Sequence, residues 1–149
     1  MTSHCVRALQ ALALGAPLCG CSALSNCPSA QDDITIDRPE STDQATLFFE
    51  SSPGWQSFDA FPAKTQIRFK HDLGVTPREI HSYLSFTKKA SNGVAGGSFT
   101  EAAGNEVAWE CIDSHWIVIK NDTCEKSFFV KVTAQGAPDD PSDEDFCAP

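Results

Sequence analysis

The chain has 149 residues, the size of one ordinary domain, and its 41 % hydrophobic and 21 % charged content suits a packed core rather than global disorder. Twenty acidic against eleven basic side chains leave a formal charge of -9, which argues against unaided binding to DNA, RNA or anionic lipid, because each needs a positive surface. No apolar run reaches the ~18 residues of a bilayer span, and seven cysteines point to an oxidising compartment.

Met1 to Cys21 reads as an export signal. Arg7 supplies the positive n-region, and Val6 to Leu18 has the length of a signal h-region, too short to span. Leu18-Cys19-Gly20-Cys21 then resembles the lipobox of bacterial lipoprotein signals, in which Leu, a small residue and Gly or Ala precede Cys. Cys19 departs from the small residue usual at its position. The resemblance implies diacylglycerol transfer to the Cys21 thiol, cleavage after residue 20 and acylation of the new amine, so residues 1–20 are the signal and Cys21 carries palmitate-type lipid. Ser22 follows the cysteine, where an Asp would mean inner-membrane retention under the enterobacterial sorting rule, so the expected location is the outer membrane. The alternatives are an unlipidated secretory cleavage near Ala23 or Ala30, and an amphipathic N-terminal helix of the mature domain.

Cys5 and Cys19 leave with the signal and Cys21 takes lipid, which leaves Cys27, Cys111, Cys124 and Cys147. An even remainder suits two disulfides, and three connectivities stay open. There is no Cys-x-x-Cys pair and the spacings do not match a zinc site, so no metal is expected. Cys111–Cys124 looks unfavourable if the two stand at opposite ends of a hairpin, because about four strand residues of ~3.3 Å each exceed disulfide reach. Cys27–Cys147 would staple the ends of the mature chain. Residues 21–33 are small and polar and read as a disordered, flexible tether. Residues 137–149 hold Pro138, Pro141 and Pro149 among Asp139, Asp140, Asp143, Glu144 and Asp145, and read as a solvated acidic tail. Calcium binding is the alternative there, against which the run lacks an Asp-x-Asp-x-Asp-Gly loop.

Residues 34–136 carry period-two apolar patterns. In chain order, Ile34–Ile36 and Thr46–Glu50 are short candidates. Thr65–His71 puts Ile67 and Phe69 on one face, and Glu79–Thr87 puts Ile80, Leu84 and Phe86 on one. Gly97–Thr100 is short. Asn105–Ile112 puts Val107, Trp109 and Cys111 together. His115–Asn121 sets Ile117 and Ile119 against Trp116 and Val118, and Phe128–Ala134 aligns Phe128, Val130, Val132 and Ala134. Gly, Pro, Asn and Asp clusters separate these runs, and no apolar pattern of helical period competes with them. The expectation is an all-β fold, an antiparallel β-sandwich of roughly seven short strands. Within it, Val107–Ala134 is expected to be a three-stranded meander. His71-Asp72-Leu73-Gly74-Val75-Thr76-Pro77 resembles the His-x-Leu-Gly-x-x-Pro turn of small β-sandwich modules in phage tail fibres and related lectin-like domains. That resemblance implies a fold type, with Gly74 and Pro77 making the turn and Leu73 capping the core, and no activity.

Chemistry-bearing residues are sparse. His71, His81 and His115 are scattered, and there is no Gly-x-Ser-x-Gly elbow, His-Glu-x-x-His pair or phosphate-binding loop. Adjacent side chains in Asp113-Ser114-His115 are expected to diverge on a turn rather than line up as a triad. Glu101, Glu106 and Glu110, with Asp113, are the acids that could pair as a glycosidase-like acid and nucleophile, surface placement being the ordinary reading. Trp55, Phe58 and Phe61 recur every three residues in a Pro-flanked loop. They either lid the open end of the core or form a ligand-binding patch for a sugar or a protein. Asn121-Asp122-Thr123 reads as a hairpin turn rather than a glycosylation site. The combined expectation is an envelope lipoprotein, membrane-bound through its lipid, with a non-catalytic β-sandwich that binds an envelope protein or glycan or serves structurally, without cofactor, metal or nucleic acid. The alternative is a small secreted hydrolase acting on envelope glycans through paired carboxylates.

Overall fold

A strand with alternating apolar side chains has one face to bury, and here the strands bury theirs by forming two facing sheets. The computed structural model describes residues 27–53, 55, 57–89, 98–102, 104, 106–138 and 145–149. Ten strands follow in chain order: β1 (Ile34–Asp37), β2 (Thr42–Asp43), β3 (Phe48–Glu50), β4 (Asp59–Ala60), β5 (Gln66–Lys70), β6 (Glu79–Ser85), β7 (Phe99–Glu101), β8 (Ala108–Ile112), β9 (Trp116–Lys120) and β10 (Phe129–Gln135). One sheet has the order β1-β5-β9-β8 and the other β2-β3-β10-β6-β7, with β4 also paired to β10. The chain is all-β and sandwich-like, with no α-helix among the described residues. Ile67, Phe69, Ile117 and Ile119 of the first sheet meet Phe49, Leu84, Val130, Val132 and Ala134 of the second in one core, and Leu73 caps it at 3 % exposure.

Two of the ten strands are only two residues long; these pairings are too short to show as a periodic pattern. The sheets are also not wholly antiparallel. Strand β1 runs parallel to β5, from Ile34 opposite Ile67 to Asp37 opposite Lys70. Between them the chain passes through β2, β3 and β4 of the other sheet, the long crossover that a parallel pair requires.

The expected Val107–Ala134 meander is corrected as well. Strands β8 and β9 pair antiparallel, with a bulge between Trp109 and Cys111 that leaves Trp109 40 % exposed while Val107 is buried. Strand β10 instead joins the other sheet, between β6 and the β3/β4 flank. Both edges of β9 are taken by β5 and β8, so the next strand needs a different partner. Asn121 organises the crossing. Its Oδ1 accepts from the Thr123 N–H (3.0 Å) and hydroxyl (2.7 Å), and its Nδ2 donates to the carbonyls of Phe61 (2.8 Å) and Glu125 (3.2 Å). Asn121 is fully buried, so the sequon is a buried crossover rather than a hairpin turn or a sugar acceptor.

Disulfides join Cys27 to Cys124 and Cys111 to Cys147, with Cα separations of 4.8 and 5.8 Å. Cys27, inside the expected tether, is therefore tied to the crossover loop; Cys21 and the signal lie outside the described residues. The last residues are not a free tail. Cys147 is 2 % exposed, its N–H donates to Asp113 Oδ2 (2.7 Å) and its carbonyl accepts from Arg68 (2.9 Å). The physical reason is the outward face of β9, where Trp116 and Val118 need an apolar cover that Cys147 and Cys111 supply. Closing a loop of 36 residues stabilises a fold by about 4 kcal/mol in the chain-entropy model. The double substitution Cys111→Ser with Cys147→Ser is expected to lower unfolding free energy by about that amount and to red-shift Trp116 fluorescence; denaturant melts and emission spectra check both.

His71 closes β5 inside the core with 0 % exposure. Its Nδ1 accepts from the Leu73 N–H (3.2 Å) and its Nε2 lies 3.1 Å from the Asp113 carbonyl. These bonds suit a neutral ring that donates from Nε2. Burial pushes its pKa down to about 4, although the Asp113 carbonyl and nearby acids act in the opposite direction. The folded state thus binds fewer protons than the unfolded chain between pH 4 and 6.5, so stability is full above pH 6.5 and falls as pH drops through that window. The total loss from this group is roughly 3 kcal/mol. Titration of the His71 ring by NMR should give a midpoint near 4; a midpoint above 6 contradicts the neutral buried ring.

Candidate functional site

The outer face of the six-stranded sheet carries an unusual excursion. Strands β3 and β4 lie on the same flank of β10, with Glu50 opposite Thr133 and Asp59 opposite Val130, and the described residues between them, 51–53, 55, 57 and 58, belong to no strand. Ser51 eases the departure: its N–H donates to the Val132 carbonyl (2.8 Å), and its hydroxyl accepts from the Val132 N–H (3.0 Å) in place of a backbone group. Arg38 gathers the two ends, donating to the Ser51 carbonyl (2.6 Å) and in a bidentate pair to Asp59 (2.6 and 3.1 Å). The Asp59 carboxylate raises the Arg38 pKa.

The excursion folds Trp55 over the sheet. Its ring stacks on Phe99 at 4.5 Å and 20°, and meets Tyr83 edge-on at 4.9 Å. Beneath it lies Lys131, whose Nζ sits 4.2 Å from the indole centroid and ion-pairs with Glu50. The Lys131 side chain is fully buried while that of Glu50 keeps 25 % exposure. Phe58 and Phe61 are fully buried. The Trp55, Phe58 and Phe61 series therefore divides: Phe61 joins the core between the sheets, Phe58 packs beside Trp55 and Phe99, and Trp55, half-buried, covers Lys131.

Beside this platform, where β7 forms the sheet edge, a cleft of about 620 Å³ opens. Leu84, Phe86, Thr100, Ala102, Glu106 and Phe128 line it, and Phe99 and Glu101 border it from β7, their side chains standing on the outer face with Trp55, Tyr83 and His81. Phe86 and Phe99 are 64 % and 42 % exposed. Glu101 Oε1 also meets His81 Nδ1 at 2.6 Å, whereas Glu106 has no ion pair among the described residues. Glu106 thus lines the cleft and Glu101 borders it, but Glu110 lies exposed on β8 and Asp113 lies buried elsewhere. Sequence reasoning missed Phe86, Phe99 and Phe128 as site residues because in a strand pattern they read as ordinary core positions. Only the short β7 edge leaves Phe86 open beside Phe128.

Asp113-Ser114-His115 departs from expectation in one respect. Ser114 Oγ and His115 Nδ1 do meet, at 2.9 Å. No triad results: Ser114 is fully buried, and Asp113 Oδ1 accepts from the backbone N–H of His115 (2.8 Å) and Trp116 (2.7 Å) rather than from the ring. Asp113, His115 and Asp145 bring ligand-type atoms within 4.8 Å. Three backbone N–H groups already engage the Asp113 carboxylate, which makes it the pin of the turn.

Comparison with protein-family models, with curated proteins and with solved structures finds no match for this chain.

Removing Glu50 would leave Lys131 charged and sealed under Trp55. Glu50→Ala is expected to cost about 3 kcal/mol, and the volume-conserving Lys131→Met less than about 1 kcal/mol, because water still reaches Glu50. Urea melts of the two variants check the asymmetry.

Proposed function

We propose that the chain is an envelope lipoprotein, held at the outer membrane by acyl chains on Cys21, whose β-sandwich is a non-catalytic module that binds a glycan in the β7 cleft. The observation that supports binding is the exposed Phe86 ring, packed beside Phe128, in one concave site with the acidic residue Glu106. Sugar C–H faces stack on aromatic rings, and carboxylates accept hydrogen bonds from hydroxyls. A protein partner generally buries a broader surface than this cleft offers. The anchor is supported by the lipobox-like Leu18-Cys19-Gly20-Cys21 and by two disulfides suited to an oxidising compartment. Two or three acyl chains hold a protein stably at a bilayer where one does not.

A hydrolase acting on envelope glycans is the second reading, favoured by one fact: Glu106 lines the cleft and a second acid, Glu101, borders it. A glycan array followed by product analysis separates the two. The expected result is binding without turnover, weakened about tenfold or more by Phe86→Ala, a loss equal to the ~1.4 kcal/mol of one modest stacking contact. If the wild type retains no glycan, the binding reading fails. If it releases cleaved product and Glu106→Gln does not, the chain is the hydrolase.

A further inference from the structure

The Cys27–Cys124 bond decides where the chain leaves the body, and that point lies on one particular end of the sandwich. Strand registers gather this end: Gln66 stands opposite Lys120, and Ser85 opposite both Phe129 and Phe99. Backbone N–H groups of Phe58, Phe61 and Lys64 donate to the carbonyls of Lys88, Phe128 and Asn121, each at 2.8 Å. The starts of β5, β7 and β10, the ends of β6 and β9, and the Cys124 loop therefore form one surface.

We propose that this end is a bilayer-contacting surface, with Phe86 placed among phospholipid headgroups and Lys88, Lys89 and Lys126 against their phosphates. The inference rests on acylation at Cys21. Five residues lie between Cys21 and Cys27, six steps along the chain, and a fully extended chain covers at most ~3.5 Å per step, so the acylated residue stands within about 20 Å of Cys27. Without the disulfide, the domain could hang from the longer segment that ends at Asp33. The short mount holds this end at high effective concentration near the lipid, where weak contacts count.

The chemistry of the end fits that placement. Phe86 is 64 % exposed, its ring 5.1 Å from Phe128. Lys88, Lys89 and Lys126 are exposed and meet no carboxylate among the described residues. Lys64 and Lys120 share Asp122, at 2.9 and 4.0 Å. Against these five lysines the end holds Asp32, Asp33, Glu106, Asp122 and Glu125, so its charges balance in a chain with eleven cations and twenty acids. The opposite end carries Asp37, Asp43, Asp72, Glu79 and Asp145 with only Lys70 and Arg78 among its described residues. The formal charge of -9 is therefore unevenly spread, and the lysine-bearing end faces the lipid while the acidic end points away. An aromatic ring beside lysines is the side-chain set of a bilayer interface.

The test is the acylated full chain, isotope-labelled, in nanodiscs of phosphatidylcholine and phosphatidylglycerol doped with a gadolinium-chelating lipid. Amide signals of 63–65, 86–89 and 121–128 are expected to broaden on the order of tenfold more than those of 43–46, 72–76 and 113–115, which lie a strand length of ~20 Å away. The combined variant Phe86→Ser, Lys88→Glu, Lys89→Glu and Lys126→Glu should lose that contrast while keeping both disulfides and the His71 titration. Even broadening of the acylated wild type, or stronger broadening around 72–76, overturns the surface and leaves the anchor standing. A protein mass that shows Cys21 without lipid overturns the anchor and this inference with it.

Discussion

Strand β9 is apolar on both faces, and the need to cover both governs the architecture. Ile117 and Ile119 point into the space between the sheets, and Trp116 and Val118 point away from it. The inner pair calls for a second sheet, which β10 and β6 dominate. The outer pair calls for something beyond the sheets, and the chain brings its own last residues back to supply it. Because β5 and β8 already flank β9, the next strand cannot pair with β9, and β10 joins the other sheet. The crossover at Asn121 and the return of Cys147 are thus two consequences of one hydrophobic requirement.

Polar groups lock these solutions where apolar contact alone leaves choices. Asp113 accepts three backbone N–H groups, two from the turn before β9 and one from Cys147, so a single carboxylate ties the turn to the returning chain end. Asn121 does the same for the crossover, and Arg38 for the excursion that carries Trp55. His71 shows the other side of such burial: neutral, it satisfies its neighbours, but its ring is placed where a proton is unwelcome. The disulfides work with these pins rather than replacing them.

The same arrangement separates a packed region from an open one. Trp55 closes over Lys131 and makes the middle of the six-stranded sheet opaque to solvent, whereas the three-residue β7 leaves its edge and the neighbouring rings exposed. Phe86 belongs both to this cleft and to the Cys27–Cys124 end, so a glycan in the cleft and the lipid headgroups compete for the same ring. A ligand site beside a short membrane mount suits a module that meets its ligand close to the envelope surface.

The sequence by itself determined the all-β class, the presence of four pairing cysteines and most strand cores, because period-two burial is a local property. The opposite faces of Ile117/Ile119 and Trp116/Val118, and the inward row Val130, Val132 and Ala134, were legible in this way. It could not determine which sheet a strand joins. The register of β10 depends on whether the edges of β9 are free, a fact about residues fifty positions upstream at β5. Disulfide partners were likewise undecided, because Cys27–Cys124 and Cys111–Cys147 span 97 and 36 residues and become neighbours only once the sheets stack. The candidate cleft was almost invisible for the same reason: Phe86, Phe99 and Phe128 look like core residues in a one-dimensional pattern. Only the tertiary structure, by ending β7 after three residues, leaves Phe86 open beside Phe128.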